Sequence, residues 1–211
     1  MSRIIGLLAA AALTAGAAQA ALVSPTYGAS QGNLATDWQA NDVVLSLQRF
    51  DPMLGTLNSV ALVFSGNLVA DFDATSLSPT SQTMTGELSG IMTYTLPGSS
   101  ELLDLMMDTQ VPLEAGATIT GQVTAFGTAT RVLTTNLGGY IGSGHFDIGV
   151  LTAANWSFSG TGDLDGGAST YGNTTVQVTY GYTAAQVPEP ASLALVGLAL
   201  AAAGLARRRR A

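Results

Sequence analysis

The chain has 211 residues, contains no cysteine and no lysine, and carries a formal net charge of −7. The absence of cysteine excludes disulfides, thiolate catalysis and cysteine-ligated metal centres. Residues 21–186 hold thirteen of the fourteen acidic residues but two of the seven arginines, so this body carries a formal charge of −11. Because an acidic surface repels phosphate backbones, we expect no nucleic-acid partner.

The first twenty residues have the layout of a cleaved secretory signal peptide. Arg3 gives a positively charged start, an apolar run follows, and Ala18 and Ala20 form an A-x-A site with Ala21 as the first mature residue. Signal peptidase accepts small side chains at such sites. We therefore expect residues 1–20 to form a signal helix that engages the secretion translocon and is removed after Ala20. The alternative is an uncleaved N-terminal membrane anchor.

The other end of the chain has three ordered features over residues 187–211. Pro188, Glu189 and Pro190 precede an apolar run over residues 191–206. Sixteen residues rise about 24 Å as a helix, somewhat less than the hydrocarbon core of a bilayer. A basic cluster next to such a helix stays on the cytoplasmic side. The cluster that follows the run consists of Arg207, Arg208, Arg209 and Arg210.

This tail resembles the PEP-CTERM sorting signal, which combines a Pro-Glu-Pro motif, a short apolar helix and terminal arginines. The resemblance implies recognition by an exosortase, a membrane cysteine protease-transpeptidase of Gram-negative bacteria that make exopolysaccharide. It also implies a membrane-anchored precursor that loses its apolar tail and reaches the cell surface or the extracellular matrix. A simple tail anchor that stays in the membrane is the alternative.

The body between the two signals, residues 21–186, is predicted to be one all-β domain. Apolar and polar residues alternate over residues 84–96, with further alternation over residues 118–125 and 175–183. Weaker strands are expected at the positions 43–48, 60–64, 146–151 and 156–159. Period-two alternation with turns rich in Gly, Asn and Asp indicates an antiparallel β-sandwich, which we expect to be jelly-roll-like.

Two segments of the body are expected to depart from this pattern. Residues 99–108 are the one place where a helical turn is predicted, capped by a serine and covering the sheet with leucines. Residues 28–32 match the G-x-S-x-G pattern around Ser30. A nucleophile elbow needs a strand before the serine and a helix after it, and we expect a flexible leader here instead. The single histidine, His145, is predicted to lie at the edge of a strand.

The segment 45–60, which reads LSLQRFDPMLGTLNSV, together with Asp37-Trp38 and the closing VTYGY at 178–182, resembles the choice-of-anchor E domain. Such domains accompany PEP-CTERM and other surface anchors, so the resemblance implies a surface location. The middle of this segment also has the residues that a turn between two strands requires. Asp51 accepts backbone N–H bonds, Gly55 adopts a positive φ, and Leu57 and Val60 re-enter the core on the next strand.

Two acidic pairs are candidate calcium ligands. Asp163 and Asp165 precede two glycines, and Asp71 and Asp73 form a second pair. Calcium prefers several oxygen ligands, and aspartates two residues apart supply two of them. Neither pair extends to a full calcium-loop motif, and aspartates before glycines are also ordinary turn formers.

A sugar-binding site would require exposed aromatic side chains. Trp38 and Trp156 are the candidates, although Trp156 alternates with Phe158 and is equally consistent with the core. The residues favour an exported structural or adhesive surface protein over an enzyme. A non-catalytic module that binds carbohydrate or calcium is the second hypothesis, and a glycan hydrolase is the third.

Overall fold

The computed structural model describes residues 21–185 as strands joined by short turns. The predicted signal helix and the predicted C-terminal helix lie outside these residues. Residues 21–185 contain no α-helix; two short 3-10 turns occur at Pro52–Leu54 and Leu137–Tyr140. The strands are β1 (Ala21–Val23), β2 (Tyr27–Ala35), β3 (Val43–Gln48), β4 (Gly55–Ser76), β5 (Gln82–Leu96), β6 (Ser99–Leu113), β7 (Thr118–Leu133), β8 (His145–Ser159) and β9 (Leu164–Ala184).

The strands form two antiparallel sheets. In the five-stranded sheet, β1 and β2 both pair with β9, which pairs with β4, which pairs with β7. The four-stranded sheet has the order β3-β8-β5-β6. Most connections cross from one sheet to the other, and this strand order is that of a jelly roll built from two Greek keys. The predicted all-β antiparallel sandwich is therefore confirmed.

The core lies between the sheets, where alternate side chains of each strand meet. The alternation predicted over residues 84–96 is confirmed, because Met84, Leu88, Met92, Tyr94 and Leu96 are all buried. At the centre, the rings of Phe64 and Tyr94 lie 4.8 Å apart. The Tyr94 hydroxyl is 2.7 Å from the Thr174 hydroxyl, which donates to the Ser65 carbonyl. A buried polar group therefore links the two sheets with its hydrogen bonds satisfied.

The predicted helical turn at residues 99–108 is wrong, since these residues belong to β6. Pro97 and Gly98 form a two-residue hairpin loop between Leu96 and Ser99, and Gly98 has a φ of 81°. A proline followed by a glycine with a positive φ favours a tight turn, so β6 runs back antiparallel to β5. Leu103 then points into the core and Leu102 points out, which is the period of a strand.

The prediction of a flexible leader at residues 28–32 is also wrong. These residues lie in β2, where Gly28 pairs with Gln177 and Ser30 pairs with Thr175. The hydrogen bonds that order this segment come from a strand about 150 residues later in the sequence. A local composition of glycine, serine and glutamine does not reveal such a distant partner.

The predicted turn after β3 is confirmed. The Asp51 carboxylate accepts a hydrogen bond from the Met53 backbone N–H at 2.9 Å, and Pro52 begins the 3-10 turn. Gly55 has a φ of 144°, and Leu57 and Val60 are buried on β4.

Candidate functional site

The two ends of the described chain leave the sandwich at the same place. Ala21, on β1, pairs with Thr183 of β9. On the other side of β9, Thr183 pairs with Thr56, and the Ala185 N–H donates to the Leu54 carbonyl at 2.9 Å. We call this end of the sandwich the tail end. The predicted cleavage residues Ala18 and Ala20 and the sorting residues after position 186 lie outside the described residues, but the residues next to them are fixed here.

An aromatic cluster underlies the tail end. The Phe50 ring lies 5.7 Å from the ring of Tyr180 and 5.2 Å from that of Tyr182. The Tyr180 hydroxyl donates to the Gln48 carbonyl, and Ser24 exchanges two hydrogen bonds with the Tyr180 backbone. Burial raises the pKa of Tyr180 well above its ordinary value. The strand that continues into the tail is therefore held by packing on a desolvated ring.

The surface of the tail end is apolar. Leu22, Val23, Met53 and Leu54 are 40%, 69%, 84% and 47% exposed. Leu22 and Val23 flank β9 on one side, and Met53 and Leu54 flank it on the other. We call these four residues the apolar rim. They surround the point at which the chain continues past Ala185.

The opposite end of the sandwich, which we call the far end, contains the turns at residues 77–81, 114–117 and 160–163. The predicted calcium residue Asp163 lies here, and its carbonyl accepts hydrogen bonds from the Leu77 N–H and the Gln82 side chain. Asp165 stands opposite Thr75 on β4. Among residues 21–185 no group of three or more His, Cys, Asp or Glu side chains is placed to hold a metal ion. Calcium binding at Asp163 and Asp165 stays a prediction.

The second acidic pair lies on the outer face of β4. Asp71 and Asp73 are exposed, and the Asp71 carboxylate accepts a hydrogen bond from the Gln122 side chain of β7 at 2.7 Å. Asp73 stands opposite Gly167 of β9. These carboxylates form a polar outer surface near the far end.

The two tryptophans that were predicted to bind sugar both contact other residues of the sandwich. Trp38 is 3% exposed, and its indole N–H donates to the Ala35 carbonyl at 2.6 Å. Trp156 is half-buried and stacks on Phe72, with centroids 5.1 Å apart and an interplanar angle of 17°. The prediction for Trp38 is therefore wrong, because a buried ring offers no face to a sugar. Trp156 gives one of its faces to Phe72.

Sequence reasoning missed an outward row on the five-stranded sheet. Phe126 of β7 is 66% exposed and stands opposite Asn67 of β4, which stands opposite Asn173 of β9. The Asn173 side chain donates to Asn33 of β2 at 2.9 Å. The alternation of side chains along β7 could have identified Phe126 from the sequence. Val123 and Ala125 point inward, so Phe126 must point outward.

Ser30 and His145 lie in different sheets. Ser30 is on β2 of the five-stranded sheet, and His145 is the exposed first residue of β8 in the other sheet, opposite Gln48. His145 therefore occupies the predicted strand edge. The structure does not bring the two residues together into a nucleophilic pair.

Residues 186–210 match the PEP-CTERM protein-sorting motif. The match agrees to within a residue at each end with the tail predicted from the sequence. A PEP-CTERM tail belongs to an exported protein whose membrane-anchored precursor is processed by an exosortase-type enzyme on its way to the cell surface. Within residues 21–185, no helix is long and apolar enough to span a membrane. The predicted membrane helix lies outside those residues.

The solved structures to which the β domain is similar include the following two. The globular domain of zebrafish complement 1qA is 10% identical, with a TM-score of 0.24, and the match covers 74% of this chain and 95% of that one. A chain of the T13 IBDV viral particle is 13% identical, with a TM-score of 0.22, and the match covers 84% of this chain but 46% of that one. A comparison with curated proteins finds no match.

Proposed function

We propose that this chain is a structural or adhesive protein displayed on the surface of an exopolysaccharide-producing Gram-negative bacterium, with a choice-of-anchor E-like domain over residues 37–182. One observation carries the proposal: Ala21 and Ala185 leave the sandwich side by side at the tail end. A domain that is tethered at one end presents its far end and both outer faces to its surroundings.

The length of the strands makes this presentation effective. β4 has 22 residues and β9 has 21, and each runs from one end of the sandwich to the other. At roughly 3.3 Å per residue, β4 extends about 70 Å. The far end therefore stands well away from the anchoring surface.

The outer face of the five-stranded sheet supports a role in hydrated matrix. Along β7, the outward positions are mostly short and polar, and each can both donate and accept hydrogen bonds. Five of them are the exposed residues Thr118, Thr120, Thr124, Thr128 and Thr130. Such a surface forms many weak contacts with polysaccharide and water without a closed pocket.

Mass spectrometry of both ends of the protein released from the cell surface tests the sorting route. We expect a mature N-terminus at Ala21 and loss of the apolar tail. In a variant with Pro188, Glu189 and Pro190 replaced by alanine, larger precursor should accumulate in the inner membrane. A matched control replaces three residues of the β7 outer face, which should leave processing unchanged. Normal display of the Pro-Glu-Pro variant would show that the tail is a simple anchor.

Carbohydrate binding is the second candidate function, and the row of Phe126, Asn67 and Asn173 favours it. An exposed aromatic ring beside side-chain amides supplies the stacking surface and the hydrogen bonds that sugars use. The Asn67 side-chain oxygen is buried, so the Phe126 ring and the Asn173 amide are the groups of this row that a sugar can reach. This row replaces Trp38 as a candidate sugar contact, whereas sugar binding at Trp156 stays a prediction.

A glycan array distinguishes the two candidates. We expect Phe126→Ala to abolish any glycan signal, whereas Val132→Ala, which changes another exposed outward residue of β7, should retain it. A full-length protein that gives no glycan signal, while still being sorted to the surface, supports the structural role alone.

A further inference from the structure

The apolar rim lies very close to the part of the chain that enters the membrane. The apolar run begins at Ala191, six residues after Ala185. Six fully extended residues span at most about 22 Å, and the headgroup layer of one leaflet takes up roughly 5–8 Å of that distance. The Leu54 carbonyl is hydrogen-bonded to the Ala185 N–H. Leu54 and its neighbour Met53 are therefore held within a short reach of the lipid surface.

The rim has the side chains of an interfacial contact. Met53 is the most exposed of its residues, at 84%, and stands on the 3-10 turn that ends against Ala185. The free energy falls when exposed apolar side chains move from water into the region of the headgroups and acyl chains. A short tether raises the local concentration of the rim at the membrane, so even a weak contact is populated.

The charges of the domain favour the same orientation. The far end and the sheet next to it carry Asp73, Glu114, Asp163 and Asp165. The tail end is close to neutral, because Arg49 lies two residues before Asp51 and Arg131 pairs with Glu101 at 2.9 Å. Anionic headgroups therefore repel the far end more strongly than the tail end.

We propose that Leu22, Val23, Met53 and Leu54 contact the phospholipid surface of the membrane that holds the precursor, so that the domain stands on its tail end until processing. The inference rests on anchoring of the precursor through residues 187–211. It adds a lipid contact of the folded domain itself, which positions the strip at Pro188, Glu189 and Pro190 at the membrane surface, where a membrane-embedded enzyme can reach it.

Single-cysteine labelling of the full chain tests the contact. The sequence contains no cysteine, so Met53→Cys and Leu77→Cys each introduce one thiol. Leu77 is the matched control, because it is an apolar residue that is 62% exposed at the far end. Each variant is labelled with an environment-sensitive fluorophore and reconstituted into vesicles of phosphatidylethanolamine and phosphatidylglycerol. Emission is measured with a lipid-borne quencher and, separately, with an aqueous one.

We expect the label at position 53 to emit at shorter wavelength than the label at position 77. We also expect it to be quenched several-fold more by the lipid-borne quencher and correspondingly less by the aqueous one. If the chain floats with the vesicles but both labels behave as in water, the lipid contact is refuted while anchoring stands. If both labels are in lipid, the domain lies flat and the upright orientation is refuted. If the chain does not float with the vesicles, anchoring through the tail fails and the inference fails with it.

Discussion

The tail end and the far end of the sandwich are built differently. At the tail end, β9 has partners on both sides, β1 and β2 on one and β4 on the other, and aromatic rings fill the space between the sheets. Towards the far end, β2 has ended at Ala35, opposite Tyr171, and β3 reaches no further than Val43, opposite Val150. Among the described strands, β9 before residue 171 and β8 after residue 150 therefore have a strand partner on one side.

The difference indicates that the two halves have different tasks. In the half next to the tether β9 is paired on both sides and packs on aromatic rings, whereas the other half leaves one side of β8 and of β9 without a strand partner. Fraying and local opening are most favourable where few buried contacts hold a strand. We therefore expect the far half to open first and the tail half to set the global stability.

The largest expected effect is the loss of a ring from the tail half. Tyr180→Ala removes a fully buried ring and leaves the Gln48 carbonyl without its donor, so the free energy of unfolding should fall by about 3–5 kcal/mol. Trp156→Ala in the far half should cost about 1–3 kcal/mol, because the indole is half-buried. Urea denaturation measures both values. Equal losses would contradict the division into two halves.

A glycine comparison sharpens the contrast at the tail end. A Cβ on Gly55 would lie 1.9 Å from the Thr183 carbonyl oxygen, in a backbone with a φ of 144°. Gly55→Ala should therefore lower the unfolding free energy by about 2–4 kcal/mol, since strain and overpacking combine. Gly116→Ala at the far end is the matched control, with a φ of 69° and open space around it. It should cost about 1–2 kcal/mol from strain alone.

Alkaline pH should destabilise the domain through its buried tyrosines. Burial raises the pKa of Tyr180, Tyr94 and Tyr140 above the usual value of a tyrosine. The unfolded chain then loses these protons first, so the stability is fully present below about pH 10 and is lost as the pH rises further.

Tyr180→Phe removes one of these three titratable hydroxyl groups. Above pH 10 the variant should lose stability less steeply than the natural protein, by up to about 1.4 kcal/mol per pH unit. Near pH 7 it should be less stable by about 1 kcal/mol, because the hydrogen bond to Gln48 is gone. Chemical denaturation at a series of pH values measures both effects, with Tyr171→Phe as the control. Parallel curves for the natural protein and Tyr180→Phe would rule out this origin of the alkaline loss.

The smallest expected effect is that of the ion pair between β7 and β6. The Arg131 guanidinium lies 2.9 Å from the Glu101 carboxylate, and both side chains remain partly exposed. A double-mutant cycle with Arg131→Gln and Glu101→Gln should give a coupling energy of about 0.2–1 kcal/mol that falls with added salt. A coupling that is independent of salt would indicate a pair shielded from solvent.

The parts of the fold that were predictable from the sequence are those that depend on near neighbours. The alternation over residues 84–96 identified the buried face of β5. Asp51 and Gly55 revealed the turn after β3, because the side-chain acceptor and the positive φ are local requirements.

The parts that were not predictable depend on distant partners. β2 is ordered by β9, and Trp38 is buried by the crossing of the chain from one sheet to the other. Leucines at 102, 103 and 105 are compatible with a helical turn when the sequence is considered alone. In the structure, the hairpin at Gly98 pairs them with β5. For the candidate sites, the alternation of side chains along β7 predicts that Phe126 points outward. Its neighbours Asn67 and Asn173 could not be predicted, because they are determined by the pairing register between strands.

The long pairing between β9 and β4 has a mechanical consequence. These strands pair from Gly55 with Ala184 to Ser76 with Leu164, and Ala185 continues from the same strand towards the anchor. Hydrogen bonds between antiparallel strands lie perpendicular to the strand axis. A pull on the anchor, opposed by a grip at the far end, is directed along that axis, so it shears many of these bonds at once instead of unzipping them one by one. In the adhesive role proposed above, a cell held in flowing water would load the domain along this direction.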